Sequence, residues 1–263
     1  MLKWYAYNAT LNFSICALIM SDLISPTVVA VDHFVSSVQK QGYAVLSAAD
    51  VCTMAQADLQ PLVESWHDLP PDNYLKDGGR YRRRRHSSFI VENGRLRQVT
   101  HRPHWQPLSY NALHGGMVRL FEPIQPTVVA TAAWQNLLQA LAQYCSALKG
   151  EQTWYIEAHQ FRIDTTDGIG RPTPEGAHRD GVDFVAVLLV ERKGIKGGET
   201  RVFEANGSFG QRFTLTDAWS LLFLDDEKVI HESTPILPIE HDGGYRDTLV
   251  LTFRRGGFQQ DFD

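Results

Sequence analysis

The sequence predicts a mainly β protein with a helical buttress, an α+β arrangement whose core is a double-stranded β-helix of the jelly-roll, cupin-like type. Two observations predict this fold. Residues 151–258 consist of short β-rich runs separated by Gly, Asp and Asn turns, at spacings typical of sandwiches and barrels. Residues 31–150 instead show apolar residues at helical spacing, with loops between them. No Pro- or Ser-rich linker separates the two parts, so we predict one domain over residues 31–263.

The N-terminal part is predicted to contain two helices and two strands. Residues 42–46 form a short strand, and residues 48–66 follow with good helix formers and apolar side chains at helical spacing. A second strand over residues 87–91 leads to Asn93-Gly94, which is a strong hairpin turn signal. A second helix over residues 126–148 is expected to pack on the outside of the sheet.

The C-terminal part is predicted to contain eight strands. They are expected near residues 154–164, 176–180, 182–191, 199–205, 211–215, 218–224, 228–234 and 245–254. Eight short strands preceded by helices are typical of a jelly-roll with helices against one face. The strand over residues 154–164 could line a pocket with either of its two faces, because the sequence does not decide which face points inward.

The composition is that of an ordinary globular protein, with 43% hydrophobic and 21% charged residues. The net charge of -5 gives no reason to expect a polyanionic partner, so nucleic-acid binding is not predicted. The three cysteines, Cys16, Cys52 and Cys145, form no CxxC pair, so neither a disulfide framework nor a cysteine zinc site is supported. A reducing compartment fits best, and we expect the protein in the cytoplasm.

The N-terminus carries an apolar run over residues 9–20 that could be a signal peptide, with residues 28–30 resembling a cleavage site. Asn12 and Ser14 interrupt that run, and it is shorter than the about 20 apolar residues that cross a bilayer. We therefore interpret residues 1–30 as an N-terminal extension or the product of an early start codon. We predict no membrane association, and we make no prediction of the order of this extension.

The stretch from His178 to Asp180 is the most informative in the chain. Residues i and i+2 of an extended segment project to the same face, so an imidazole and a carboxylate can meet at one point. The apolar residues 185–190 that follow predict a strand buried on both faces. His231, on another predicted strand, supplies a possible third ligand. Two histidines and one carboxylate form the facial triad that suits non-haem Fe(II), although each residue taken alone is more often structural.

Arg246 and Thr248 share one face of the last predicted strand. An arginine presents a planar fork to a carboxylate, and a hydroxyl two residues away can donate to a remaining lone pair. The pair therefore fits a dicarboxylate cosubstrate.

These five residues resemble the iron and 2-oxoglutarate residues of the Fe(II)/2-oxoglutarate-dependent dioxygenases, in the pattern His178-x-Asp180, His231, Arg246-x-Thr248. The segments HRDGVDFV, LDDEKVIHESTPI, GYRDTLVLTF and QPLSYNALHGGMVRLFEPI further resemble the bacterial branch that includes L-isoleucine 4-hydroxylase. This resemblance covers roughly residues 40–258 and leaves the N-terminal extension outside.

The resemblance implies that His178, Asp180 and His231 bind Fe(II), and that Arg246, assisted by Thr248, binds the distal carboxylate of 2-oxoglutarate. It also implies O2 as a cosubstrate, hydroxylation of an unactivated C–H bond, and release of succinate and CO2. The branch implies a small-molecule substrate, most simply a free aliphatic L-amino acid that is hydroxylated on its side chain.

Three alternatives stay open at this point. A dioxygenase could act on a peptide, a protein side chain or another metabolite. A cupin-type barrel could bind a metal or small molecule without turnover. A hydrolytic zinc enzyme is disfavoured, because a facial triad with open positions suits Fe(II) better. The sequence makes no prediction of the oligomeric state.

A basic stretch over residues 80–85 precedes the strand at residues 87–91. The acidic net charge and the lack of an aromatic platform favour a solvated or ion-paired strand over a nucleic-acid interface. One of these arginines could instead reach the site and hold a substrate carboxylate.

Overall fold

The computed structural model describes residues 23–111 and 113–260. The helices are α1 (Phe34–Gln41), α2 (Ala48–Cys52), α3 (Gln56–Val63), α4 (Pro126–Val129) and α5 (Ala132–Lys149), with short 3-10 turns at Val31–His33 and Glu64–Trp66. The strands are β1 (Tyr43–Ser47), β2 (Arg82–Glu92), β3 (Arg95–Gln98), β4 (Trp154–Asp164), β5 (Phe184–Lys193), β6 (Ile195–Gly197), β7 (Thr200–Glu204), β8 (Gly210–Phe213), β9 (Ser220–Asp225), β10 (Val229–Ser233), β11 (Ile236–Pro238) and β12 (Tyr245–Arg254).

Seven strands form a major sheet in the order β1-β9-β5-β12-β4-β2-β3. A minor sheet has the order β10-β7-β8, and β11 pairs with β6. Every pairing between these strands is antiparallel. The chain therefore has the jelly-roll fold that the sequence predicts.

The major sheet lies between the helices and the minor sheet. Along β5, Ala186 and Leu188 pack in the same apolar cluster as Trp134 of α5, on the helical side. Their neighbours Val185 and Leu189 pack with residues of the minor sheet on the other side. Because successive side chains of a strand point to opposite faces, β5 is buried on both faces, as its continuous apolar run predicts.

Both predicted helices are shorter than expected because each is interrupted by a local turn. Thr53 has a left-handed φ of 52° and ends α2, so the predicted helix over residues 48–66 is split in two. The predicted helix over residues 126–148 breaks near Thr131. The Thr131 side chain accepts a hydrogen bond from the backbone N–H of Trp134, and so caps the new helix α5.

The prediction of a strand over residues 176–180 is wrong. His178 forms one isolated antiparallel bridge with His231, and no strand continues on either side of it. Gly176 and Gly181 have φ values of 81° and 75°, in the left-handed region that turns the chain away from an extended path. The segment is therefore a loop that pairs with β10 only through His178 and His231.

Other boundaries also differ from the sequence prediction. Strand β2 begins at Arg82, five residues before the predicted start, because the arginine-rich stretch pairs with β4 in regular register. Residues 195–197, for which the sequence predicts no strand, form strand β6, which pairs with β11. The hairpin at Asn93-Gly94 is confirmed, with positive φ at both residues as a type I′ turn requires.

The apolar run over residues 9–20 and Cys16 lie outside the described residues. Within the described part, Val28 forms a parallel bridge with Val45 of β1, so residues from the predicted extension lie along the edge of the major sheet. Among the helices that the structure describes, none is both long and apolar enough to cross a membrane.

Candidate active site

A cavity between the major and minor sheets contains the five candidate residues together with parts of β2, β4, β5 and β12. His178 and Asp180 lie on the loop between β4 and β5, and His231 lies on β10. Arg246 and Thr248 lie on β12 and face the same cavity. The fold thus brings together residues that are distant in sequence.

The ligand atoms of His178, Asp180 and His231 all lie within 4.8 Å of one another. Asp180 Oδ1 is 3.9 Å from His178 Nε2, and Asp180 Oδ2 is 3.8 Å from His231 Nε2. These separations are too long for hydrogen bonds. They are compatible with two imidazole nitrogens and a carboxylate that bind the same cation.

The tautomer of His178 is compatible with metal binding through Nε2. His178 Nδ1 donates a hydrogen bond to the Gly176 carbonyl oxygen at 2.9 Å, which leaves Nε2 directed at Asp180. His231 Nδ1 is buried and lacks a hydrogen-bond partner among the described residues. Two imidazoles and one carboxylate of this kind fit Fe(II), whose facial triad leaves positions open for other ligands.

The two histidines have different electrostatic surroundings. Burial opposes the charged form of His178, but the carboxylates of Asp180 and Glu175 outweigh this effect and raise its pKa. Burial and the neighbouring His178 lower the pKa of His231 to about 3. His231 is therefore neutral near pH 7, which is the form that can donate its lone pair to a metal ion.

Two buried residues that the sequence analysis did not identify hold Asp180 in place. Gln106 Nε2 donates to Asp180 Oδ1 at 3.0 Å. The Asp226 carboxylate accepts from the backbone N–H groups of Asp180 (3.0 Å), Gly181 (2.8 Å) and Val182 (3.1 Å), and so fixes the loop that carries the ligand. No sequence spacing identifies Gln106 as a partner of Asp180. Asp226 has the appearance of a turn residue in the sequence, so its role is not evident there either.

Arg246 is a buried guanidinium with 4% exposure. It makes no hydrogen bond or ion pair with any residue in the described part of the chain, and burial together with Arg192 lowers its pKa to about 10. A buried charge without a counter-charge is costly, so the group fits an anionic ligand. Thr248, also buried, lines the cavity two residues further along the same strand.

The structure decides which face of β4 points inward. His159, Phe161 and Ile163 line the cavity. Ile156 and Ala158 point to the other side and pack in the helical core. Glu175, on the loop before His178, also lines the cavity, and its Oε2 is buried without a hydrogen-bond partner among the described residues.

A second cluster of potential metal ligands adjoins the cavity, which two of its members, His104 and His159, line. Its members are His86, His104, Glu157 and His159. Glu157 accepts from Arg102 at 2.9 Å and lies within 3.3 Å of His86 and His104, and His159 Nδ1 accepts from Arg84 Nη2 at 2.7 Å. Because Arg102 and Arg84 already donate to Glu157 and His159, and both other histidines contact Glu157, we interpret this cluster as a hydrogen-bonded network.

The arginines of residues 80–85 divide between surface and cavity. Arg83 points outward, with a side chain that is 44% exposed, whereas Arg82 and Arg84 are buried and line the cavity. Arg80 pairs with Asp167 on the surface. The alternation of Arg82, Arg83 and Arg84 follows the two-residue period of the strand. Arg80 and Arg83 are therefore the solvated or ion-paired residues that the sequence predicts, whereas Arg82 and Arg84 reach the cavity.

The chain belongs to the 2OG-Fe dioxygenase family, whose sequence profile matches residues 63–252, more than half of the chain. The family uses Fe(II), 2-oxoglutarate and O2, and the His/Asp/His site required for this chemistry is present. The protein is therefore an oxidoreductase of the dioxygenase class.

The chain is similar to a crystal structure of a bsmA homologue from Methylobium petroleophilum PM1, with 49% identity, a TM-score of 0.85, and coverage of 90% of this chain and 98% of that chain. It is also similar to IDO from Bacillus thuringiensis, at 16% identity and a TM-score of 0.71 over 91% of this chain and 100% of that chain. The Fe(II)/α-ketoglutarate-dependent dioxygenase TqaL matches at 19% identity and a TM-score of 0.64, over 94% and 92% of the two chains. The last two support the fold alone. The comparison with curated proteins returns no match.

Proposed function

We propose that this dioxygenase hydroxylates an unactivated C–H bond on the side chain of a small free L-amino acid, with release of succinate and CO2. The observation that carries the proposal is a single cavity in which His178, Asp180 and His231 converge beside the buried, unpaired guanidinium of Arg246. The substrate class rests on the sequence resemblance to the bacterial branch that includes L-isoleucine 4-hydroxylase.

In this proposal His178, Asp180 and His231 hold Fe(II). The bound ion supplies the redox chemistry that O2 requires, and the protein supplies binding and orientation. Overall, 2-oxoglutarate, O2 and the substrate give succinate, CO2 and an alcohol, so that one oxygen atom enters succinate and the other enters the alcohol. The hydrogen bond from Gln106 would hold the Asp180 carboxylate in place for the ion, and the backbone hydrogen bonds to Asp226 would fix the loop that carries Asp180.

Arg246 pairs with the distal carboxylate of 2-oxoglutarate, assisted by the Thr248 hydroxyl. The pairing would compensate a guanidinium that is otherwise buried without a counter-charge. Apolar side chains from the major sheet, including Val187, Val250 and Ile163, line the same cavity.

We also propose a cytoplasmic location. The support is the use of cysteine: Cys52 and Cys145 are both free, and neither belongs to a disulfide framework.

The test supplies anaerobically purified protein with Fe(II), ascorbate, 2-oxoglutarate and O2, and measures succinate in the presence of each of the common L-amino acids. We expect one or a few aliphatic amino acids to stimulate succinate formation and to gain one oxygen atom in mass spectrometry. The D-enantiomer of the best substrate is the matched control and should not stimulate. Succinate formation that no free amino acid stimulates would overturn the substrate class and favour peptides or other metabolites.

A further inference from the structure

Three buried arginines line one wall of the cavity. Arg82, Arg84 and Arg119 are 6%, 3% and 2% exposed. Within the described part of the chain, Asp72 is the carboxylate that pairs with them: its Oδ2 lies 2.7 Å from Arg82 Nε and 3.8 Å from Arg84 Nη1. The wall therefore buries three guanidinium groups against one direct carboxylate partner.

Each of these guanidinium groups has unused hydrogen-bonding capacity. Arg82 Nη2, Arg84 Nε and Arg119 Nε are buried and have no partner among the residues that the structure describes. Arg119 donates through Nη2 to the amide oxygen of Gln106 at 3.1 Å, which is a neutral acceptor. Burial and repulsion by Arg82 lower the pKa of Arg119 to about 10. Among the described residues, Asp72 is the direct carboxylate partner of two of these three buried cations, and each cation keeps an unpaired donor. Because positive charge is in excess along this wall, it favours an anionic ligand.

The arginine wall is separate from Arg246. In the major sheet, β4 lies between β2 and β12. Its residue Ile163 pairs with Arg82 of β2 on one side and with Arg246 of β12 on the other. Neighbouring strands lie about 4.8 Å apart, so two strand spacings, roughly 10 Å, separate the backbones of the two arginines. Arg84 lies two residues further along β2 on the same face. The geometry provides two cationic subsites, one on each side of β4.

The arginine wall also lies close to the proposed iron ligands. Gln106 accepts from Arg119 through its amide oxygen at 3.1 Å and donates to Asp180 through its amide nitrogen at 3.0 Å. A single side-chain amide therefore bridges Arg119 and Asp180. A small ligand held by Arg119 would lie beside the His/Asp/His site, within the same cavity.

We propose that Arg84 and Arg119 bind a carboxylate group of the primary substrate, in a subsite distinct from the one that Arg246 provides for 2-oxoglutarate. This inference rests on the proposed function, because it assigns residues to the substrate of the same site. A carboxylate matches the planar fork of a guanidinium, and Arg82 holds Arg84 in place through their shared partner Asp72. The carboxylate comes either from a free amino acid or from the C-terminus of a peptide.

The first experiment compares Arg119→Gln and Arg84→Gln with Arg83→Gln, a matched control on the exposed face of β2. In the succinate assay, the half-saturating concentration of the stimulating amino acid should rise about tenfold or more in the first two variants, the loss expected for one charge-assisted contact. The half-saturating concentration of 2-oxoglutarate should shift much less. Arg119→Lys retains the charge but not the planar guanidinium. Its half-saturating concentration of the amino acid should therefore lie between those of wild type and Arg119→Gln.

The second experiment varies the ligand and uses thermal stabilisation of the wild-type protein without added metal, so that turnover is not needed. Each L-amino acid is compared with its carboxamide and with the dipeptide that carries it at the C-terminus. We expect carboxylates to stabilise the protein and carboxamides to do so much less. Stabilisation by the free amino acid but not by the dipeptide would identify a free amino acid as the source of the carboxylate. Stabilisation by the dipeptide as well would show that the C-terminus of a peptide also fits.

Failure of the inference and failure of the proposed function give different results. Equal half-saturating concentrations of substrate in wild type and Arg119→Gln, or equal stabilisation by carboxylate and carboxamide, would overturn the arginine subsite alone. A rise in the 2-oxoglutarate requirement instead would assign the arginines to the cosubstrate and overturn it as well. Selective stabilisation by carboxylates without any succinate formation would overturn the proposed function alone.

Discussion

His178 and His231 exchange both backbone hydrogen bonds across an isolated antiparallel bridge, each N–H donating to the other carbonyl oxygen at 3.0 Å. Residues paired in this way carry their side chains on the same face, and the two imidazole rings lie 4.8 Å apart between centroids. The bridge places two potential ligands side by side although one lies in a loop and the other on β10. Backbone pairing thus sets the spacing of the site before any metal binds.

Replacement of either histidine should remove activity. We expect His178→Ala and His231→Ala to abolish succinate formation and to retain less iron, because each change removes one of three protein ligands. The measurement is succinate formation together with iron content after removal of unbound metal. His241→Ala, on an exposed turn, is the matched control and should behave as wild type. Full activity of either cavity variant at ordinary iron concentration would remove the ligand assignment.

Arg246→Ala should chiefly raise the requirement for 2-oxoglutarate. Loss of one charge-assisted contact costs about 1.5–3 kcal/mol, equivalent to roughly a 10- to 150-fold increase in the half-saturating concentration. Arg254→Ala, near the end of the same strand β12, serves as the control. An unchanged requirement in Arg246→Ala, with a raised one in Arg254→Ala, would transfer the cosubstrate role to Arg254.

Gln106→Ala should weaken metal binding without removing a ligand. Its amide fixes the Asp180 carboxylate, and loss of such an orienting partner typically costs 10- to 100-fold in metal affinity or activity. The measurement is a titration of metal-free protein with Fe(II) under anaerobic conditions. Gln98→Ala, on the exposed face of β3, controls for loss of an amide elsewhere. Equal Fe(II) affinity in Gln106→Ala and wild type would show that Asp180 needs no such support.

Stability should fall as the pH decreases below about 6.5. Burial lowers the pKa of His104 and of His114 to about 4, below the 6.5 expected in the unfolded chain. As the pH falls from 6.5 towards 4, the unfolded chain binds protons that the folded protein does not, so the free energy of unfolding decreases. His104, which is fully buried, contributes up to about 3 kcal/mol to that decrease, and His114 contributes in the same direction.

Urea unfolding of metal-free protein at pH 7.5 and pH 5 measures this loss. His114→Gln, which cannot titrate at this position, should show a smaller difference between the two pH values than wild type. A free energy of unfolding that is the same at pH 7.5 and pH 5 would contradict the assignment of neutral, buried histidines.

The parts of the site that sequence can reveal are those with local patterns. The two-residue spacing of Arg246 and Thr248 places both side chains on one face of β12. His178 and Asp180 reach the same cavity, as their motif predicts, but they do so from a loop and not from an extended strand. The apolar run of β5 likewise predicts burial on both faces, and both faces are buried.

The remaining parts depend on contacts between distant segments. Gln106 reaches Asp180 across 74 residues, and Asp226 reaches it across 46. Neither residue carries a local spacing signal, so only the folded chain identifies them. The strand expected at residues 176–180 fails for a related reason: left-handed glycines at both ends restrict the extended path to a single bridge.

The most direct test of the account is the ratio of succinate to hydroxylated product, measured with wild-type protein, Fe(II), ascorbate, 2-oxoglutarate, O2 and the best free L-amino acid. We predict equal amounts of succinate and of a product heavier by one oxygen atom, because the cavity couples decarboxylation of 2-oxoglutarate to attack on the amino acid. Absence of succinate under every condition would contradict the account and would favour a barrel that binds its ligands without turnover.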